Sequence, residues 1–136
     1  MEQNRETGAA GDAYGRRMGT AIARAMHLER LSDSSNEVKW RDGFAVIKCC
    51  GPRTNSFGIT AQMLERIDAV IVGCEDESGN VEIFELTTDR FRQSMVDSRS
   101  SSAAGGRVKQ VRRSVARRDG VRLCVLRAAE LLVFGR

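Results

Sequence analysis

The apolar positions of the chain change period several times, and each change marks an element. From Gly15 to about Leu31, Met18, Ile22, Ala25 and Met26 recur every three to four residues, with Leu28 or Glu29 closing the series. That spacing predicts a helix, and its alanines favour the same state. Ser32-Asp33-Ser34-Ser35 is a turn-forming cluster that ends it. Glu37 to Trp40 then alternates, Arg41-Asp42-Gly43 interrupts, and Phe44 to Cys49 is mainly hydrophobic. An Asp-Gly pair between two such runs predicts a β-hairpin, with positive φ at Gly43. Gly51 to Gly58 holds the only proline and reads as a loop. Thr60 can cap a helix over residues 61–66, with Met63, Leu64 and Ile67 facing inward.

Asp68 leads into an unbroken apolar run, Ala69 to Cys74, which predicts a strand buried on both faces. Glu75 to Asn80 is an acidic turn, and Val81 to Leu86 alternates, so the two runs predict an antiparallel hairpin. Thr87 and Thr88 precede a short helix over residues 89–96. Ser98 to Gly106 is rich in Ser, Ala and Gly and reads as a flexible loop. Between Arg107 and Arg118, Val108, Val111 and Val115 are spaced i, i+3, i+7, as in an amphipathic helix with a basic face. A strand over residues 107–111 fits the same residues. Val121 to Leu126 predicts a last strand, and Arg127 to Phe134 a terminal helical turn.

The fold class expected from this order is α+β, with a mixed four- to five-stranded sheet flanked by helices. The 136 residues suit a single domain over 15–136, ending in a basic segment 107–136. Residues 1–14 are polar and rich in Gly and Ala, and read as a flexible arm. No apolar run approaches bilayer length and the N-terminus has no signal-peptide core, so a cytoplasmic protein without membrane contact is expected. The four cysteines make no CxxC and stand far from His27, which argues against zinc and for small buried thiols.

Charge adds an asymmetry. From Ser98 onward there are ten Lys or Arg and two acids, a net of +8, whereas the first 97 residues carry a net of −4. A basic end on such a body is an electrostatic footprint of nucleic-acid binding. Arg53, Arg107, Lys109, Arg112, Arg113, Arg117 and Arg118 are the candidate phosphate contacts. A plain solvated surface has the same composition, and an acidic protein partner would also be attracted. Thr54, Ser56 and Thr60 are candidate phosphate contacts too, or else turn and cap residues. Trp40 reads as core rather than as a base-stacking platform, and the acidic turn as solvated rather than as a calcium loop.

The sharpest chemical feature is Lys48 at the end of Phe44-Ala45-Val46-Ile47. An ammonium there must reach water or an acid, and Glu37 lies on the neighbouring strand. The two can form a structural ion pair or a metal-and-water site. A P-loop, a Ser-His-Asp or Cys-His set and a dinucleotide fingerprint are all absent from the sequence.

The element order, with Glu37 and Val46-Ile47-Lys48, resembles the PD-(D/E)xK restriction-endonuclease-like fold over about residues 15–96. In that resemblance Glu37, or Asn36 beside it, takes the place of the first acid, and Lys48 that of the motif's lysine. The first position of the acid-x-Lys tripeptide is Val46, so a second carboxylate would come from the following helix, where Glu65 and Asp68 lie. The resemblance implies a Mg2+- or Mn2+-dependent endonuclease acting on DNA. Glu37 with Asp68 or Glu65 would hold the metal and Lys48 would orient water. A homodimer would be needed to cut both strands. The competing readings are a non-catalytic nucleic-acid-binding module and a protein-interaction component with a basic tail.

Overall fold

A computed structural model describes residues 2–98 and 107–134, with side chains described from Ala13 onward. Helix α1 (Glu2–Ala25) is followed by strands β1 (Glu37–Trp40), β2 (Gly43–Cys50) and β3 (Ser56–Thr60), then helix α2 (Ala61–Leu64). Strands β4 (Ala69–Glu75) and β5 (Val81–Thr87) lead to helix α3 (Thr88–Ser94) and the short β6 (Val96–Asp97). Strand β7 (Val108–Arg112), helix α4 (Arg113–Asp119), β8 (Val121–Leu126) and helix α5 (Ala128–Phe134) complete the order.

The elements form an α+β fold with two sheets. A five-stranded mixed sheet has the order β1-β2-β4-β5-β8, and a three-stranded sheet the order β3-β7-β6. Among the described strands only β2 and β4 pair in parallel, because the chain between them leaves the sheet to make β3 and α2. The large sheet is covered on both faces. Ala45, Ile47, Ile71 and Ile83 pack against Met18 and Ile22 of α1 on one side. Val46, Val70, Val72, Phe84 and Leu86 pack on the other against Phe57, Ile59 and Val111 of the small sheet, Leu64, Phe91 and Ala116. Strand β4 lies between these layers, which is why its sequence runs apolar without alternation.

The two hairpins form as expected: β1 pairs with β2 and β4 with β5, both antiparallel. Thr60 and Thr87 cap α2 and α3, each hydroxyl accepting the amide of the third residue on at 3.1 Å. In the acidic turn, Asp76 Oδ1 accepts the amides of Ser78 and Asn80, and Gly79 takes the one left-handed turn position there, with φ +84°. All four cysteines are free thiols, and Cys50 and Cys74 are buried in the core. Burial, then the neighbouring Cys74, pushes the Cys50 thiol up to about 12, so it is not a nucleophile near neutrality. Among the described residues no helix is long and apolar enough to cross a membrane.

Several expectations need correction. The backbone of residues 2–14, expected as a flexible arm, belongs to α1; alanines and charged side chains are compatible with helix as well as with disorder. The helix stops at Ala25 rather than near Leu31, because His27 adopts φ +56°. The amide of Leu28 bonds Ala23 O at 2.8 Å and that of His27 bonds Arg24 O at 3.2 Å, the two bonds of a Schellman ending. His27 is exposed and occupies the position that glycine prefers. His27→Gly is therefore expected to raise stability by about 0.5–1 kcal/mol, read as a rise in the thermal midpoint, because it removes left-handed strain.

In the first hairpin the positive φ falls on Arg41 (+52°) and not on Gly43. Gly43 is required for a different reason: a Cβ there would lie 1.9 Å from Asp68 Oδ2, which accepts the Phe44 amide. Residues 56–60, read as loop and cap, form β3 and found a second sheet. Helix α2 is shorter than expected, and residues 107–118 divide into strand β7 and helix α4 instead of forming one helix. The expected flexible stretch over residues 98–106 lies outside the described residues, apart from Ser98, whose amide bonds Val108 O.

Candidate functional site

Strand register decides which candidates meet. Glu37 stands opposite Val46, so Glu37, Val46 and Lys48 share one face of the large sheet. The Glu37 carboxylate is bonded to Arg66 Nη2 at 2.8 Å, and its side chain is only 15% exposed. Arg66 comes from the segment after α2, twenty-nine residues away. Pairing with β1 ends where the Ile47 amide bonds Asn36 O, and a cavity of about 370 Å³ opens beside the following stretch of β2. Lys48 is half-buried there, with Arg16, Ser34 and Asn36 also in its lining.

Asp68 is elsewhere. Its amide donates to Phe44 O at 2.8 Å, and Ala69 pairs with Ala45. Asp68 is thus level with Phe44, four residues before Lys48, or about 13 Å along the strand direction at roughly 3.3 Å per residue. Two strand spacings, about 10 Å, also separate β4 from the β1 strand that carries Glu37. The Asp68 carboxylate turns to the Phe44 amide at 3.1 Å. Glu65 is exposed at the end of α2. Among the described residues no three His, Cys, Asp or Glu side chains come together as a metal site requires. Among the described residues the donor set expected for Mg2+ is not brought together: Glu37 is bound to a guanidinium and Asp68 lies at the other end of the hairpin.

Beside Asp68, the cluster at the hairpin turn is structural. Glu85 accepts Trp40 Nε1 at 2.8 Å and Arg41 Nη2 at 2.8 Å. The Arg41 bond, chiefly, with help from Trp40, holds the Glu85 carboxyl below its ordinary range despite partial burial. The Arg41 guanidinium also lies over the Trp40 ring at 5.1 Å, so that the ring packs as core rather than offering an open face to a base.

The basic segment divides into engaged and outward cations. Arg113 is a staple: its Nη1 donates to Gly51 O (2.9 Å) and Thr54 O (3.3 Å), its Nη2 to Glu75 O (3.0 Å), and its amide to Asn55 O. Lys109 pairs with Asp97, Arg117 with Glu82, and Arg118 with Asp119. Arg53, Arg107 and Arg112 are exposed and have no ion-pair partner among the described residues.

Alternation in β7 explains where Arg112 stands. Val111 faces the core at 1% exposure, so Gln110 and Arg112 face outward, opposite Gly58 and Ser56. They line an open groove of about 540 Å³ with Asn55, Ser56 and Ser114. Its polar groups are hydroxyls, amides and the guanidinium-bearing Arg112 and Arg113, a set suited to phosphate oxygens. Gln110 and Ser114 did not stand out in the sequence. The usable signal was the alternation of Phe57 and Ile59 with Ser56, Gly58 and Thr60, which implies a strand whose partner must share the outer face.

No family model matches the chain, and no curated protein or solved structure matches it either.

Proposed function

We propose that the protein is a nucleic-acid-binding module that holds the phosphate backbone through Arg53, Arg107 and Arg112. The observation that carries this reading is the division of the cations. Lys109, Arg113, Arg117 and Arg118 are engaged within the fold, whereas these three guanidiniums project without ion-pair partners among the described residues. Arg112 does so beside a groove that Asn55, Ser56, Gln110 and Ser114 line with neutral hydrogen-bonding groups and that the engaged Arg113 also borders. Such a surface attracts phosphate without reading bases, because backbone contacts carry affinity and base-edge contacts carry specificity. DNA is the substrate class favoured by the restriction-endonuclease-like resemblance.

Titration of a labelled 20-base-pair duplex, followed by fluorescence anisotropy, tests this. Wild type is expected to bind, and the Arg53→Ala/Arg107→Ala/Arg112→Ala variant to bind at least tenfold more weakly, roughly the loss of a few phosphate contacts. Equal binding by both proteins, or none by either, contradicts the proposal, and the latter shifts weight to an acidic protein partner.

A second reading is metal-dependent cleavage. Glu37 and Lys48 on one sheet face favour it, and the carboxylate positions described above oppose it. Incubation of supercoiled plasmid with Mg2+ or Mn2+, beside Lys48→Ala, separates the two. Nicking that the variant abolishes supports the nuclease. Binding without nicking supports the module.

A further inference from the structure

The groove beside Arg112 offers more than a phosphate contact. Val96 stands opposite Gln110, and Gln110 opposite Gly58, so the three form one row across β6, β7 and β3 on the outer face of the small sheet. Val96 is 64% exposed, whereas Val111 beneath the groove is buried, so Val96 supplies the apolar surface. The stem of Gln110 is set beside Gly58, where a Cβ would lie 3.6 Å from Gln110 Cγ. Gln110 is half-buried, and its side-chain amide has no hydrogen-bond partner among the described residues. The side chain of Asn55, exposed at the rim, has none either.

A concave surface discriminates between forms of a nucleic acid. In a duplex the bases are stacked, and their edges lie recessed at the floor of a groove, where a projecting helix or ribbon reads them and a hollow does not. An unpaired base can turn out of its strand and enter a hollow. At about 540 Å³ the groove falls within the range of small-ligand sites, roughly 300–1,000 Å³. Arg112 is two residues along β7 from Gln110, roughly 6.6 Å at 3.3 Å per residue. That is about the reach from a phosphate across its sugar to the base. The Arg112 side chain is exposed and has no ion-pair partner among the described residues, whereas Arg113 is bound to three carbonyls.

We infer that the groove takes an unpaired base of a single-stranded nucleic acid, with Arg112 on the adjoining phosphate, the Gln110 amide at the base edge and Val96 against the base. The inference rests on the phosphate-binding reading above and names the form of nucleic acid that the groove serves. An amide carries both donors and an acceptor, so it can meet the edge of any base, and contact with an apolar side chain is equally tolerant of sequence. Single-stranded DNA and single-stranded RNA share this chemistry.

The test follows the anisotropy of three labelled probes: an oligodeoxyuridylate, an abasic strand with the same number of phosphates, and the duplex. Each is titrated with wild type, Gln110→Ala and Val96→Ser, with thermal midpoints recorded. The oligodeoxyuridylate is expected to bind about fivefold or more tightly than the abasic strand, as for roughly one hydrogen bond. Each variant is expected to lose most of that advantage while binding the abasic strand and the duplex as wild type does. An oligouridylate titrated in parallel distinguishes the two sources, the tighter strand naming the sugar. Equal binding of the oligodeoxyuridylate and the abasic strand overturns the inference, and duplex binding then leaves the phosphate reading standing. A base advantage that both variants retain also overturns it, because the base then lies outside this groove. Absence of binding by every probe overturns both readings.

Discussion

Phe91→Ala is expected to cost about 3–5 kcal/mol of stability, the range for removing a large buried aromatic side chain. Phe91 is fully buried and its ring lies 5.8 Å from that of Phe57 at 57°, a tilted pair that adds to the apolar contact. Its position links three layers. Helix α3 carries it, Phe57 belongs to the small sheet, and Val72, Phe84 and Leu86 of the large sheet share the cluster. The helix cannot easily collapse into the space, because Thr88 Oγ1 is tied to Ile67 O at 3.0 Å and Arg92 Nη2 to Leu64 O at 3.1 Å. Denaturant unfolding measures the loss directly. Phe91→Leu, which retains most of the volume, should cost clearly less, and a loss below about 1 kcal/mol for the alanine variant would place Phe91 outside the main core.

Arg113→Ala is expected to cost about 3 kcal/mol, because hydrogen bonds to a charged donor contribute roughly 1.5–3 kcal/mol each and its removal leaves several carbonyls without their donor. The guanidinium spans the Gly51 and Thr54 carbonyls and that of Glu75, and so fastens the 51–55 loop to the end of β4. Water can replace part of this at a half-buried position, which keeps the figure below a simple sum. Arg113→Lys should recover little, since a lysine has no planar fork to reach three carbonyls. Because the loop carries Arg53 and borders the Arg112 groove, both variants should also weaken duplex binding. A stable, normally binding Arg113→Ala protein would contradict the staple, and a stable but weakly binding one would return Arg113 to the phosphate contacts.

The contrast between Arg113 and Arg112 shows where sequence reading stops. Both look the same in a basic run, yet strand β7 ends between them: Arg112 projects outward from its last position, and Arg113 begins α4 pointing into the loop. Val108, Val111 and Val115 satisfy a helical spacing, but Val111 is buried as a strand residue and Val115 packs from a helix. Three valines cannot separate those periods. Strand β4 was legible because burial on both faces leaves an unbroken apolar run, and β5 because its apolar residues from Val81 to Leu86 are interrupted only by Glu82 and Glu85, although both of its faces are buried and no strict alternation holds. Strand β3 was masked by Ser56 and Gly58, residues that also make turns.

The site was partly legible for the same reason. Local pattern shows the hairpin but leaves its register open by one residue, and it is the observed pairing of Glu37 with Val46 that places Glu37 and Lys48 on one face. The partner that Glu37 holds, Arg66, is brought by the crossover between β2 and β4, a tertiary event with no local signature. The same crossover keeps Asp68 level with Phe44 and away from Lys48. The basic bias in composition was visible, but which cations remain outward depends on acids far along the chain, such as Glu82 for Arg117.

The most direct test of phosphate-backbone binding is the salt dependence of the duplex titration. Log K for wild type should fall linearly with log salt, with a slope of about −2.7 or steeper if three guanidiniums each neutralise a phosphate at roughly 0.9 per contact. The triple alanine variant should lose that slope. A wild-type affinity that is flat with salt, or a variant slope equal to wild type, would contradict the account.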